Sequence, residues 1–214
     1  MNEKIDEQKK AHILKKIIEY IDINPEYFFF NFVYTQDPGD KTVPIKKMPN
    51  FDYIKVMINL LKEERLVIVM KSRQMMCTWL LITWCLWVAI TKPQRQIFFV
   101  SKKERDAGKL VERANFIFEH LPKELQHYYG VKDYKYCQLD FGRTGSRIMG
   151  VSSESDALRM YTASIIFSDE MAFQNNLERS WEAMKPTIDS GGQFIGVSSP
   201  NGRNFFYKLC FDIE

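Results

Sequence analysis

Several things are scarce in this sequence, and each scarcity excludes something. Its 214 residues include 4 cysteines, 10 glycines and 3 histidines. Cys77, Cys85, Cys137 and Cys210 show no CxxC spacing, so free thiols in a reducing compartment are expected rather than a disulfide framework. His12, His120 and His127 stand far from any cysteine pair, which argues against a zinc site. So few glycines exclude a collagen-like chain. The longest apolar stretch, Trp79–Ile90, is broken by Thr83 and is too short to span a bilayer, so no membrane role is expected. The opening MNEKIDEQKK lacks the apolar core of a secretion signal, which predicts a cytosolic protein. An excess of one charge is missing too. Lys+Arg 30 against Asp+Glu 27 leaves +3, too little to argue for nucleic acid by itself. What is present is aromatic surface: Phe 16, Tyr 10 and Trp 4 exclude disorder as the main state. The length suits one α/β domain, alone or with a short appendage.

Residues 1–50 read as an N-terminal helix followed by an irregular arm. Glu3–Tyr20 has Ile13, Ile17 and Ile18 at helical spacing, continued by Ile21. Asn24–Asn50 carries an aromatic run, Tyr27–Phe30, among the breakers Pro25, Pro38, Gly39, Pro44 and Pro49. Residues 51–214 read as one domain. A helix is expected over Asp52–Lys62. Leu66–Met70, Gln96–Ser101, Ser164–Ser168 and Gln193–Ser198 are short continuous apolar runs, as strands covered on both faces should be. Helical patterns over Thr78–Ile90, Glu104–His120 and Asn176–Lys185 separate them. Tyr136–Phe141 and Arg147–Val151 flank GRTG and predict a hairpin. Strands alternating with helices predict an α/β fold with a mostly parallel sheet between helical layers.

Three loops follow three of these strands, and each has a chemical and an ordinary reading. Lys71–Thr78 (KSRQMMCT) runs from strand to helix, where backbone N–H groups and the helix N-terminus favour phosphate. A hydroxyl at its end, Thr78, suits Mg²⁺. The usual GxxxxGK[ST] pattern is broken, with Met76 in the glycine slot and Cys77 in the lysine slot. The ordinary reading is a plain strand–loop–helix corner. Asp169 and Glu170 end an apolar strand at the sheet edge where ligands bind in open α/β folds. They suit Mg²⁺ binding and activation of water, or simply the start of a helix. Ser198-Ser199-Pro200-Asn201-Gly202 is either a polar strand tip sensing phosphate or an ordinary turn.

Taken together, VIVMKSRQMMCTW, GSRIMGVSSESDALRMYTASIIFSDEMAF and GVSSPNG resemble the ATPase domain of the large terminase subunit of tailed bacteriophages, the motor that pumps DNA into procapsids. The similarity runs from roughly Phe51 to Phe206. It implies a P-loop NTPase of the additional-strand catalytic-glutamate type. It implies that Lys71, Ser72, Arg73, Gln74, Met75, Met76, Cys77 and Thr78 wrap the phosphates of ATP, with Lys71 standing in for the missing lysine. Arg73 is implied as an arginine finger in cis or a sensor. Thr78 and Asp169 are implied as Mg²⁺ ligands, and Glu170 as the catalytic glutamate. Arg159 is implied as an arginine reaching a neighbouring subunit's site, with an ion pair inside the fold as its alternative. Ser198, Ser199 and Pro200 match the motif coupling hydrolysis to motion. The Tyr-Gln pair that meets adenine in many members is here Tyr53-Ile54, so Tyr53 is expected only to stack. The resemblance further implies double-stranded DNA, a portal protein and the small terminase subunit as partners. It implies a homo-oligomeric ring on the procapsid in the host cytoplasm, with a monomer binding DNA weakly. The family's C-terminal nuclease is not expected, because the chain stops at Glu214. Two rival functions remain at this stage: another nucleic-acid-dependent P-loop ATPase, and an assembly module that binds nucleotide without hydrolysing it.

Overall fold

The computed structural model describes residues 2–37, 39–155, 158 and 162–211. Two helices open the chain, α1 (Asn2–Ile23) and α2 (Pro25–Phe32). A short hairpin follows, β1 (Tyr34–Gln36) against β2 (Ile45–Lys47). The stretch expected to be irregular is therefore ordered, for local reasons. The Asn24 side chain accepts from the Tyr27 N–H, and Pro25 occupies the first helical position, where its missing N–H costs nothing. Phe28 and Phe29 are fully buried. The hairpin loop is drawn tight by Asp40, which accepts from the Thr42 and Val43 N–H groups and pairs with Lys46 at 2.6 Å.

From α3 (Asp52–Glu63) onward, strands and helices alternate. The order is β3 (Leu66–Met70), α4 (Cys77–Thr91), β4 (Gln96–Ser101), α5 (Glu104–Glu119) and α6 (Lys123–Tyr129). Then come β5 (Val131–Lys135), β6 (Gln138–Phe141), β7 (Arg147–Ser152) and β8 (Ile165–Ser168). The chain closes with a 3-10 turn at Met171–Phe173, α7 (Leu177–Asp189), β9 (Gln193–Ser198) and α8 (Phe205–Phe211). Seven strands form one sheet in the order β3-β9-β8-β4-β7-β6-β5. The first five run parallel, and β6 and β5 extend the sheet antiparallel. The expected parallel sheet is present, and β9 is inserted between the strand of the polar loop and the strand of the two acids.

Alternation along the strands feeds two cores. Ile97 and Phe99 of β4 join one cluster with α1 to α5, while Phe98 and Val100 join the other with α7 and α8. Burial on both faces is what a parallel sheet between helical layers requires. One expectation needs correction: β3 lies at the sheet edge, so Leu66 and Met70 are exposed. The helix α4 is apolar all round, and every residue from Trp79 to Ile90 is buried. Its few polar atoms are satisfied. The Trp84 indole N–H donates to Gln193 Oε1, and the Trp87 indole N–H to the Ile21 carbonyl, each at 2.8 Å. The latter bond and the Tyr129 hydroxyl, which donates to Asp22 at 2.9 Å, tie the end of α1 to the main core. No helix among the described residues is long and apolar enough to cross a membrane.

Candidate active site

The carboxyl ends of β3, β9 and β8 are neighbours, so three loops converge at one edge. The first leaves β3 with the Lys71 N–H bonded to the Ser198 carbonyl of β9 at 3.0 Å. It then turns through two left-handed residues, Gln74 and Met76. Met76 sits at φ 51 and ψ 9 just before α4 begins. The glycine slot thus keeps a glycine-like conformation without glycine, at a cost of about 1–2 kcal/mol for an L side chain. The loop is braced from outside by the Tyr53 hydroxyl, which donates to the Met75 carbonyl at 2.9 Å. Tyr53 also stacks on Phe51, ring centroids 5.7 Å apart. Phe51, not Tyr53, lines the cavity of about 640 Å³ in front of the loop. Ile54 is fully buried and serves packing.

The second loop carries the acids. Asp169 is buried, its N–H bonded to the Val100 carbonyl. Its carboxylate Oδ1 accepts from the Thr78 hydroxyl at 3.3 Å. Burial pushes the Asp169 carboxyl up to about 6, the Glu170 charge adds to this, and Lys71 and Arg113 oppose it. Glu170 is left-handed at φ 47 and ψ 45. Its half-exposed carboxylate lies 3.4 Å from the nearly buried Lys71 ammonium. Strained backbone therefore occurs on both sides of the cleft. Cys77, in the lysine slot, is buried, and that burial pushes its thiol up, so it brings no charge.

The third loop holds the second in place. The Ser198 hydroxyl accepts from the Ala172 N–H at 3.0 Å and donates to the Ser199 carbonyl at 2.9 Å. It is committed to the protein rather than open to a ligand. Asn201 and Asn204 both donate to the Ala172 carbonyl, at 3.0 and 2.9 Å. Gln174 donates to Ser168 Oγ and to the Asp169 carbonyl, at 2.9 and 2.8 Å. Ser199 lines a second cavity of about 440 Å³ with Arg73, Asp169 and Glu170. Ser72 and Pro200 are exposed and line neither cavity. Arg159 lies outside the described residues.

The site thus brings together Lys71 with Glu170 and Thr78 with Asp169. The sequence reading did not single out Gln174, Asn201, Asn204 or Arg113. The two asparagines stood in the quoted tip motif or just after it, and Gln174 directly follows SDEMAF. Arg113 carries no local signal, because it reaches the site from α5.

The donors suit Mg²⁺. Both are hard oxygens, and 3.3 Å is close to the ~2.9 Å between adjacent oxygens of a Mg²⁺ octahedron with bonds of about 2.0–2.1 Å. A divalent cation there would offset the cost of the buried Asp169 charge.

Comparison with known families places this geometry. Residues 68–211 match the family model described as terminase large subunit, T4likevirus-type, N-terminal. The chain belongs to that family. Among solved structures this terminase resembles the Thermus phage P74-26 large terminase ATPase domain, at 19% identity and a TM-score of 0.61 over 75% of this chain and 68% of that one. It also resembles the HK97 bacteriophage large terminase, at 16% identity and a TM-score of 0.67 over 89% of this chain and 40% of that one. A third likeness is to the large terminase of thermophilic bacteriophage D6E in complex with ADP, at 16% identity and a TM-score of 0.54. That match covers 70% of this chain and 37% of the other. At these identities the likeness is one of fold. The terminase chain spans well under half of the HK97 and D6E proteins.

Proposed function

We propose that this chain is the ATPase motor domain of a DNA-packaging terminase, hydrolysing ATP to drive double-stranded DNA into a procapsid. The observation that carries the reading is the pairing of Thr78 with Asp169 and of Lys71 with Glu170 across neighbouring strand tips. Phosphates rest against the loop N–H groups and the start of α4. Thr78 and Asp169 would hold Mg²⁺, which supplies charge neutralisation at the phosphate oxygens. Lys71 leaves Glu170 for the phosphates. Glu170, released, orients the attacking water and takes its proton. Arg73 faces the same cavity as Glu170 and offsets charge building on the terminal phosphate. Loss of that phosphate reaches the third loop through Ala172, whose N–H and carbonyl are held by Ser198, Asn201 and Asn204.

The resemblance to large terminases supports the rest of the proposal. Subunits assemble as a ring docked on a portal protein, with the small terminase subunit delivering DNA, in the host cytoplasm. Arg159 acts on a neighbour's nucleotide. DNA contact belongs to the ring, since binding strength grows with the phosphates neutralised and this chain is only weakly basic.

The test is phosphate release by purified protein with and without Mg²⁺, over a range of protein concentration, beside Glu170→Ala. Mg²⁺-dependent turnover lost in the variant supports the reading. Nucleotide bound but never hydrolysed, at any concentration or with DNA added, refutes hydrolysis and leaves a docking module.

A further inference from the structure

We propose that Arg113 supplies the phosphate-binding charge that position 77 has lost, gripping the terminal phosphate of the nucleotide from the side of α5. This rests on the ATPase reading above and deepens it. The lysine slot holds Cys77, a small buried side chain that brings no positive charge. Lys71, at the other end of the loop, is held by Glu170 at 3.4 Å. Lys71 reaches the phosphates from the β3 end of the loop once released, so the α4 end of the cradle has no cation of its own.

Arg113 stands at that point. Together with Thr78 and Cys77 it lines the cavity in front of the loop. Together with Asp169, Glu170 and Ser199 it lines the cavity in front of the acids. Among the described residues no other lines both. A group common to the phosphate loop and the acid loop is placed where the terminal phosphate must lie, between the cradle and the water-activating carboxylate.

Its guanidinium is also pre-set. The Cζ atom lies 5.4 Å from the centre of the Trp79 ring, one residue beyond Thr78. An aromatic face fixes the plane of a guanidinium while leaving its N–H edge free. Among the described residues the Arg113 side chain makes no hydrogen bond and no ion pair, and it feels Asp169 only through its charge, so its N–H donors are not committed elsewhere. A planar fork of donors on a rigid support is suited to a phosphate oxygen pair.

Calorimetric titration with Mg-ATPγS and with Mg-ADP tests this. Arg113→Gln should weaken ATPγS binding ~10–100-fold, the usual worth of a charge-assisted hydrogen bond, and ADP binding by less than about threefold. Arg113→Lys should fall between. Adding Cys77→Lys to the Arg113→Gln chain should recover most of the lost ATPγS affinity, because it restores a cation to the lysine slot. A merely structural arginine would show no such rescue. Equal ATPγS affinity in Arg113→Gln and wild type overturns the proposal, as does an equal loss for both nucleotides. Wild-type protein that binds neither nucleotide overturns the ATPase reading instead. Should Arg113→Gln fail to fold, Arg113→Lys with and without Cys77→Lys carries the same comparison.

Discussion

Asp169→Asn should make the metal-free protein more stable at neutral pH, even though it removes the carboxylate proposed to hold Mg²⁺. In the fold the carboxyl is pushed from 3.8 to about 6, mainly by burial and then by the neighbouring Glu170 charge. Two units at about 1.4 kcal/mol each withhold about 3 kcal/mol from the ionised folded state. The folded state holds the proton more tightly than the unfolded chain does. The penalty is therefore absent below about pH 4, grows as pH rises from about 4 to 6, and is constant above that. Asparagine keeps an oxygen for the Thr78 hydroxyl and cannot ionise. In a chain of this size 1 kcal/mol moves Tm by roughly 2–4 °C, so the variant should melt about 6–12 °C above wild type at pH 7.5 in EDTA. By pH 5 the gap should shrink to about half. Mg²⁺ at pH 7.5 should raise the wild-type Tm and leave the variant unchanged. Thermal unfolding across this pH range decides. Equal melting at pH 7.5, or a gap that does not narrow on acidification, refutes the electrostatic account.

Glu170→Gln should cut turnover by ~100-fold or more, the usual contribution of a general base. It should also tighten ATPγS binding by up to about fivefold, because Lys71 no longer has to leave a partner; unchanged or weaker binding in calorimetry would contradict the competition. Gly150→Ala should destabilise by about 1–3 kcal/mol, since an added Cβ would stand 2.9 Å from the Ala107 backbone of α5; an unshifted urea midpoint would show that α5 can give way. Gln174→Leu removes the donors to Ser168 and Asp169 and should cost about 1–3 kcal/mol, read from the same urea curves, together with a fall in turnover.

Much of the frame was legible because long-range packing and local pattern agree there. Gln96–Ser101 and Gln193–Ser198 were bounded correctly, since continuous apolar runs suit strands buried on both faces. The position of β3 was not legible, because an edge strand next to a helical layer carries the same apolar letters as a central one. The run after Asn24 was read by its prolines and aromatics. Asn24 and Pro25 also form a helix start, a side-chain cap followed by a first-turn proline, and that local signal prevails. The charged alternation of Val131–Lys135 gave no sign of a third antiparallel strand-forming segment, because its pairing with β6 is made across a turn. Within the site, the acids and Thr78 stood next to strong strand and helix signals. Of the two readings of the Ser198 tip, phosphate sensor or ordinary turn, the hydroxyl's bonds to Ala172 and Ser199 favour the second for Ser198 itself. That exchange depends on where the Ala172 N–H comes to rest, which no local pattern encodes.

Under the motor reading proposed above, the all-round burial of α4 bears on how force leaves the site. A helix with one wet face can roll toward water at little cost. This one has no such face, and tilting it would tear two indole N–H groups from Gln193 and Ile21 and open voids on every side. The floor beneath the phosphates is thus a fixed anvil. A stroke begun there has a softer way out, through the small lattice of Ser198, Ala172, Asn201 and Asn204 that leads from the acids to the last helix.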